Sequence, residues 1–129
     1  MAERLRVLIV DDHKMFADAL KVWLDRDPSV EVVGIASTGA EAVDLALSHD
    51  VDVVLMDVTL PDIDGFEATR RLHAIKRAAK VIAVTGWSHD DLGTQVEEAG
   101  MVSYLSKDLI HDTVHDAIAA AGRSSTEVQ

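Results

Sequence analysis

Two adjacent carboxylates, Asp11 and Asp12, stand directly after the apolar run "LRVLIV" at 5–10, and a third, Asp57, ends the run "VDVVLM" at 51–56. A hydroxyl, Thr85, closes "KVIAVT" at 80–85, and an ammonium, Lys107, follows the weaker run "VSYL" at 102–105. Adjacent like charges at the end of a buried segment cost free energy unless something offsets them. Clustered carboxylate oxygens suit a hard cation such as Mg²⁺, which binds through one or two carboxylates and takes phosphate oxygens in its remaining positions. A carboxylate in such a setting can also be a nucleophile toward phosphorus, forming an acyl phosphate. Lys107 would neutralise phosphoryl charge and the Thr85 hydroxyl would donate to a phosphoryl oxygen. The metal is the expected offset for the repulsion among Asp11, Asp12 and Asp57.

These side chains act together only if the chain brings several segment ends to one place. The four runs above, with "VEVVGIA" at 30–36 as a fifth, are rich in Val, Ile and Leu and mostly unalternating, as parallel strands covered on both faces are. Between them lie segments of helical spacing: 15–24, where Phe16, Leu20, Trp23 and Leu24 form a stripe, then 41–47, 66–75, 92–99 and 109–121. Strand and helix alternate five times. That order predicts a doubly wound (βα)₅ α/β fold of flavodoxin-like type, a parallel sheet with helices on both faces and right-handed crossovers. In open parallel sheets the ligand site lies outside the carboxyl ends of the strands. With strand order 2-1-3-4-5, the ends of the first and third strands are neighbours, which would gather Asp11, Asp12 and Asp57.

The punctuation agrees. "DPS" at 27–29 ends the first helix, Ser37 or Thr38 is a candidate cap for the second, and "PDIDG" at 61–65 is a turn before the third. After Ala121 the text "GRSSTEVQ" is polar and aperiodic, so 1–121 is read as one domain and 122–129 as a polar tail or the start of a linker.

Composition bounds the rest. With 129 residues, 48% hydrophobic and 27% charged, the chain has the balance of one folded domain. There are no cysteines, which removes disulfides and thiolate chemistry. No run approaches the roughly 18 apolar residues of a membrane span, so a cytoplasmic protein without membrane contact is expected. A formal net charge of -11 argues against direct nucleic-acid binding, which needs an excess of Lys and Arg.

The motifs "IVDDH" (9–13), "LMDVTLPDIDG" (55–65), "AVTG" (83–86) and "YLSKD" (104–108), in this order and spacing, resemble the receiver domain of two-component response regulators over residues 4–121. The resemblance implies that Asp57 is the phosphoacceptor, that Asp11, Asp12, Asp57 and the backbone carbonyl of Thr59 hold Mg²⁺, and that Lys107 and Thr85 contact the phosphoryl group. It implies a switch in which Thr85 turns toward that group and Tyr104 changes rotamer, with Gly86 leaving room. Thr59, Trp87 and His13 are candidate modulators. The phosphodonor would be a sensor histidine kinase, and the chain would be a phosphoacceptor with slow self-dephosphorylation rather than an enzyme.

Most receivers carry Pro after the lysine, whereas Lys107 is followed by Asp108, a departure shared with the NarL/FixJ-type subgroup whose receivers precede a LuxR-type helix-turn-helix domain. That implies an output DNA-binding domain, control of transcription and homodimerisation on phosphorylation. A stand-alone receiver acting by protein contact is the alternative. Two further readings are a Mg²⁺-dependent phosphohydrolase, which would need steady turnover, and a flavin- or nucleotide-binding domain, which would need a Gly-rich loop where "DDHKMF" offers carboxylates. His111 and His115 are spaced i,i+4, but no glutamate makes an HExxH pattern, and a solvated helix face is expected there.

Overall fold

The computed structural model describes residues 4–76, 78–86 and 92–127. The elements run β1 (Leu5–Val10), α1 (Lys14–Asp25), β2 (Val30–Ala36), α2 (Gly39–Ser48), β3 (Val53–Asp57), α3 (Gly65–Ile75), β4 (Lys80–Thr85), α4 (Leu92–Ala99), β5 (Ser103–Ser106), a single 3₁₀ turn (Lys107–Leu109) and α5 (Ile110–Glu127). All strand pairs are parallel, in the order β2-β1-β3-β4-β5, so the doubly wound sheet expected from the sequence is the one observed.

The unalternating runs are explained by two cores. Successive side chains of one strand point to opposite faces. Leu8, Val54, Met56, Val81 and Ala83 face α2, α3 and α4, while Val7, Ile9, Leu55, Ile82 and Val84 face α1 and α5. At 0–2% exposure these strand residues leave no face wet, and a period-two signal has nothing to report. Opposite Val7 and Leu8 the register on β2 jumps from Val32 to Gly34, so Val33 is a bulged residue. By ordinary alternation Val32 packs on one core and Val33 on the other, and the bulge leaves Val33 without a partner on β1.

Helix starts follow local chemistry. Thr38 caps α2 by accepting from Glu41 N at 3.0 Å, and the Glu41 carboxylate reaches back to Ser37 N at 2.7 Å, resolving the two candidate caps in favour of Thr38. Asp64 caps α3 through Glu67 N at 2.8 Å.

Two boundaries differ from the sequence reading in a way that matters. β3 starts two residues later and ends, as expected, at Asp57, which pairs with Val84, so the carboxylate belongs to the strand itself. The helix expected to stop at Ala121 continues to Glu127. Gly122 still packs on the sheet, since a Cβ there would come within 2.7 Å of Leu5 Cδ1, and once a helix is nucleated each added residue costs little. Residues 122–127 are therefore helical, not an irregular tail. Among the described residues no helix is long and apolar enough to cross a membrane.

Candidate functional site

The carboxyl end of the sheet gathers the expected residues around one cleft of about 510 Å³, lined by His13, Met15, Phe16, Asp57, Thr59, Gly86 and Lys107. Asp11 follows β1 and is fixed by its backbone, whose N–H donates to Ala36 O at 2.9 Å. Asp57 ends β3, and Lys107 follows β5 in the 3₁₀ turn that Ser106 caps by accepting from Asp108 N at 3.2 Å. The short strands end level because β1, β3 and β4 pair in parallel register, which sets these side chains on one rim.

Asp11 and Asp57 are 2% and 3% exposed, and Thr85 on the same rim is buried as well. Lys107 Nζ stands 2.9 Å from Asp11 Oδ2 and 3.4 Å from Asp57 Oδ2, and 4.6 Å from the centre of the Phe16 ring. The ammonium is thus already an offset for the two buried carboxylates, a part that the sequence reading gave to a metal alone. The offset is incomplete. Asp11 Oδ2 is buried and receives no directed hydrogen bond, because the close Lys107 contact is an ion pair without hydrogen-bond geometry. Burial pushes the Asp57 carboxyl above its ordinary value, and the Asp11 charge adds to this against the Thr59 N–H and Lys107, which pull it down.

Asp57 Oδ1 accepts from Thr59 N at 3.0 Å, which fixes the carboxylate's rotation and ties it to the loop that follows. Asp12 is a third more exposed carboxylate beside Asp11. His13 is the residue before α1; its N–H donates to Asp11 Oδ1 at 2.8 Å, and its ring Nδ1 lies 3.2 Å from the same oxygen and 3.4 Å from Lys107 Nζ. One ligand atom from each of Asp11, Asp12, His13 and Asp57 fits within a 4.8 Å circle of contacts, a set able to hold a metal ion. Among the described residues three carboxylates face one ammonium, which leaves excess negative charge, and Asp11 Oδ2, ion-paired but without a directed hydrogen bond, keeps lone pairs to offer, so the residues present fit a hard cation.

Not every expected residue joins the cleft. Tyr104 lies on β5 opposite Ala83, two residues before the Thr85–Ser106 pair, and is 50% exposed, so it is neither at the carboxylates nor a core aromatic. Trp87 lies outside the described residues. Among the described residues a Cβ at Gly86 would meet Lys107 Cδ at 3.9 Å, an ordinary contact. His111 and His115 are not a metal pair: both rings pack on Trp23, at 4.9 and 5.9 Å between centres, and His115 Nδ1 meets Asp27 Oδ2 at 3.0 Å.

Two positions mattered more than the sequence reading allowed. Gly65, read only as part of a turn, packs its Cα against the backbone of Asp57 and Val58, where a Cβ would lie 2.8 Å from Val58 Cα. Asp62, read the same way, accepts from two backbone N–H groups of α2. A glycine directly before a helix was a visible signal for the first; nothing local marked the second.

Comparison with known proteins agrees with this geometry. Residues 7–119 match the family described as the response regulator receiver domain. The chain is 38% identical over 125 residues to the transcriptional regulatory protein LiaR of Bacillus subtilis, covering 97% of this chain and 59% of that protein. It is 38% identical over 114 residues to the response regulator UvrY of Escherichia coli, covering 88% of this chain and 52% of that one. The chain therefore spans between half and three fifths of these relatives. Among solved structures, a LuxR-family two-component response regulator from Aurantimonas superposes with a TM-score of 0.89 at 30% identity, over 95% of this chain and 87% of that one. The receiver domain of the NarL regulator of Mycobacterium tuberculosis gives 0.88 at 27%, over 94% and 98%.

Proposed function

The chain belongs to the response regulator receiver family, and on that premise we propose that it accepts a phosphoryl group from a sensor histidine kinase onto Asp57, with Mg²⁺ held by Asp11, Asp12, Asp57 and the Thr59 carbonyl. The observation that carries this is the burial of Asp11 and Asp57 against Lys107, with one Asp11 oxygen left without a directed hydrogen bond. When bound, Mg²⁺ supplies the positive charge that three carboxylates lack and draws electron density from phosphoryl oxygens.

The protein's own residues do the remainder. Thr59 N–H holds one Asp57 oxygen, which orients the carboxylate for in-line attack on phosphorus. As the Asp57 oxygen–phosphorus bond forms, the phosphorus–nitrogen bond to the donor imidazole breaks, and that nitrogen keeps the electron pair and takes a proton. Lys107 exchanges its contact with Asp57 for one with the phosphoryl oxygens, and the Thr85 hydroxyl donates to another. The phosphoryl group then shifts the population toward a state in which Thr85 and the exposed Tyr104 have moved, by no more than its difference in contacts between the two states. His13 and Thr59, which line the cleft, would set the rate of slow self-dephosphorylation, and Trp87 is a further candidate modulator.

A relative described as a transcriptional regulatory protein supports a role in transcription control; we infer that this control is exerted through a DNA-binding output domain and dimerisation of the phosphorylated protein in the cytoplasm. The charge of -11 leaves this domain unsuited to touch DNA itself. The test is the intact mass after incubation with acetyl phosphate. One phosphoryl group is expected on the wild type with Mg²⁺, and none in EDTA or on Asp57→Asn. Labelling of Asp57→Asn to the wild-type level would overturn the assignment, and many-turnover phosphate release would make the chain a phosphohydrolase.

A further inference from the structure

The segment from Thr59 to Asp64 that follows the phosphoacceptor strand is tied down at both ends. At its root, Thr59 N donates to Asp57 Oδ1 and Gly65 N donates to Val58 O at 2.9 Å. At its tip, Asp62 reaches across to another element. Its Oδ1 accepts from Gly39 N at 2.8 Å and its Oδ2 from Ala40 N at 3.0 Å, the first two amides of α2. These amides have no partner inside the helix, and the third, Glu41 N, is taken by Thr38. The negative carboxylate also meets the positive end of the helix dipole. Beside it, Ile63 fills the space over Gly39, where a Cβ would lie 2.6 Å from Ile63 Cγ1.

Only Leu60 and Pro61 separate this anchor from Thr59. The proline ring fixes one of the few backbone torsions between them, and Leu60 packs on the core under α2 to α4. A displacement at Asp62 is therefore passed to Thr59 rather than absorbed on the way.

We propose that Asp62 is a positioning residue for metal binding: by clamping the loop to the start of α2, it holds the Thr59 carbonyl in place for Mg²⁺ without touching the ion. This inference rests on the preceding assignment of Thr59 as a ligand. Asp62 is exposed, so its sequence role is not core packing, and both of its oxygens are spent on the clamp.

The test follows Mg²⁺ titrations of the chain by amide resonance shifts at Asp11–His13 and Asp57–Thr59. Asp62→Ala is expected to raise the Mg²⁺ Kd by about tenfold, the lower end of what losing a partner that orients a ligand costs. Asp62→Asn, which keeps one acceptor oxygen, should fall between it and the wild type, and remains usable should the alanine variant fold poorly. Thr38→Ala is the control: it removes a cap of the same helix and lowers Tm, but leaves the loop alone and should leave the Kd unchanged. Equal Kd values for wild type, Asp62→Asn and Asp62→Ala would overturn the inference while leaving the metal assignment standing. A Kd raised as much by Thr38→Ala as by Asp62→Ala would overturn it too, because helix stability would then be the cause. A wild type whose amides do not respond to Mg²⁺ would overturn both.

Discussion

Replacing the phosphoacceptor by its neutral isostere, Asp57→Asn, should make the metal-free protein more stable. Lys107 lies 3.4 Å from Asp57, and the acidic ligand atoms lie within 4.8 Å of one another. At an effective dielectric constant of about 20 the 3.4 Å contact corresponds to roughly 5 kcal/mol of attraction to Lys107, and a separation of no more than 4.8 Å to at least roughly 3.5 kcal/mol of repulsion from Asp11, with a smaller, solvent-screened share from Asp12. The two nearly cancel, which leaves the cost of burying the Asp57 charge unmet, in keeping with a carboxyl held above its ordinary value chiefly by desolvation. Asparagine keeps an oxygen for Thr59 N–H, loses the buried charge, and leaves Lys107 to Asp11 at 2.9 Å. A gain of about 1–2 kcal/mol is expected, or about 5 °C in Tm for a chain of this size. Urea unfolding in EDTA at neutral pH measures it. Because the folded-state value of Asp57 lies above the unfolded 3.8, its charge costs stability above the folded value, and the cost fades as pH falls through it. The gap between variant and wild type should therefore shrink toward acid pH, and Mg²⁺ should shrink it at neutral pH by binding the folded wild type. An Asp57→Asn protein less stable than wild type in EDTA at pH 7 would refute this accounting.

Two other perturbations follow from the same structure. Gly65→Ala drives a methyl group into the Asp57–Val58 backbone, which cannot yield as a side-chain end would; a loss of about 2–3 kcal/mol is expected by thermal unfolding, together with weakened acetyl phosphate labelling. At the other end of the molecule, bonds from Ser29, joined by His115, hold the Asp27 carboxyl below its ordinary value, so Asp27 adds stability that is present above 3.8 and is lost as pH falls through the lower folded value. Since both side chains of the His115 pair are partly exposed, Asp27→Asn should cost less than about 1 kcal/mol in urea unfolding at pH 7, and a larger loss would mean that the Trp23–His111–His115 stack depends on the charge.

Periodicity and strand-end chemistry made most of the fold legible in the sequence. Five mostly unalternating apolar runs read as strands of a covered sheet, which β1, β3 and β4 are, while the edge strands β2 and β5 are only partly buried. A carboxylate, hydroxyl or ammonium at the end of such a run has one place to go, the rim of the sheet. Hence the arrival of Asp11, Asp12, Asp57, Thr85 and Lys107 at the rim was readable in the sequence, and so was a cap at Ser37 or Thr38, whereas Asp64 was read only as part of a turn. What was not readable depended on distance in sequence.

The extension of α5 past Ala121 is one such case, since a polar, aperiodic stretch continues a helix when Gly122 can seat on Leu5, a partner at the other end of the chain. The exposure of Tyr104 is another: the switch role implied by the resemblance does not say how far the side chain is covered, and its place on the edge strand β5 leaves it half exposed. Sequence also could not say that Lys107 would stand nearer Asp11 than Asp57, that the His13 ring would fold back onto Asp11, or that Asp62 would bind the first turn of α2. The amino-acid order by itself determined which groups arrive at the rim, because that follows from period and spacing within each segment. Tertiary structure decided which group faces which, because a few tenths of an ångström between elements far apart in the chain settles how a buried charge is shared.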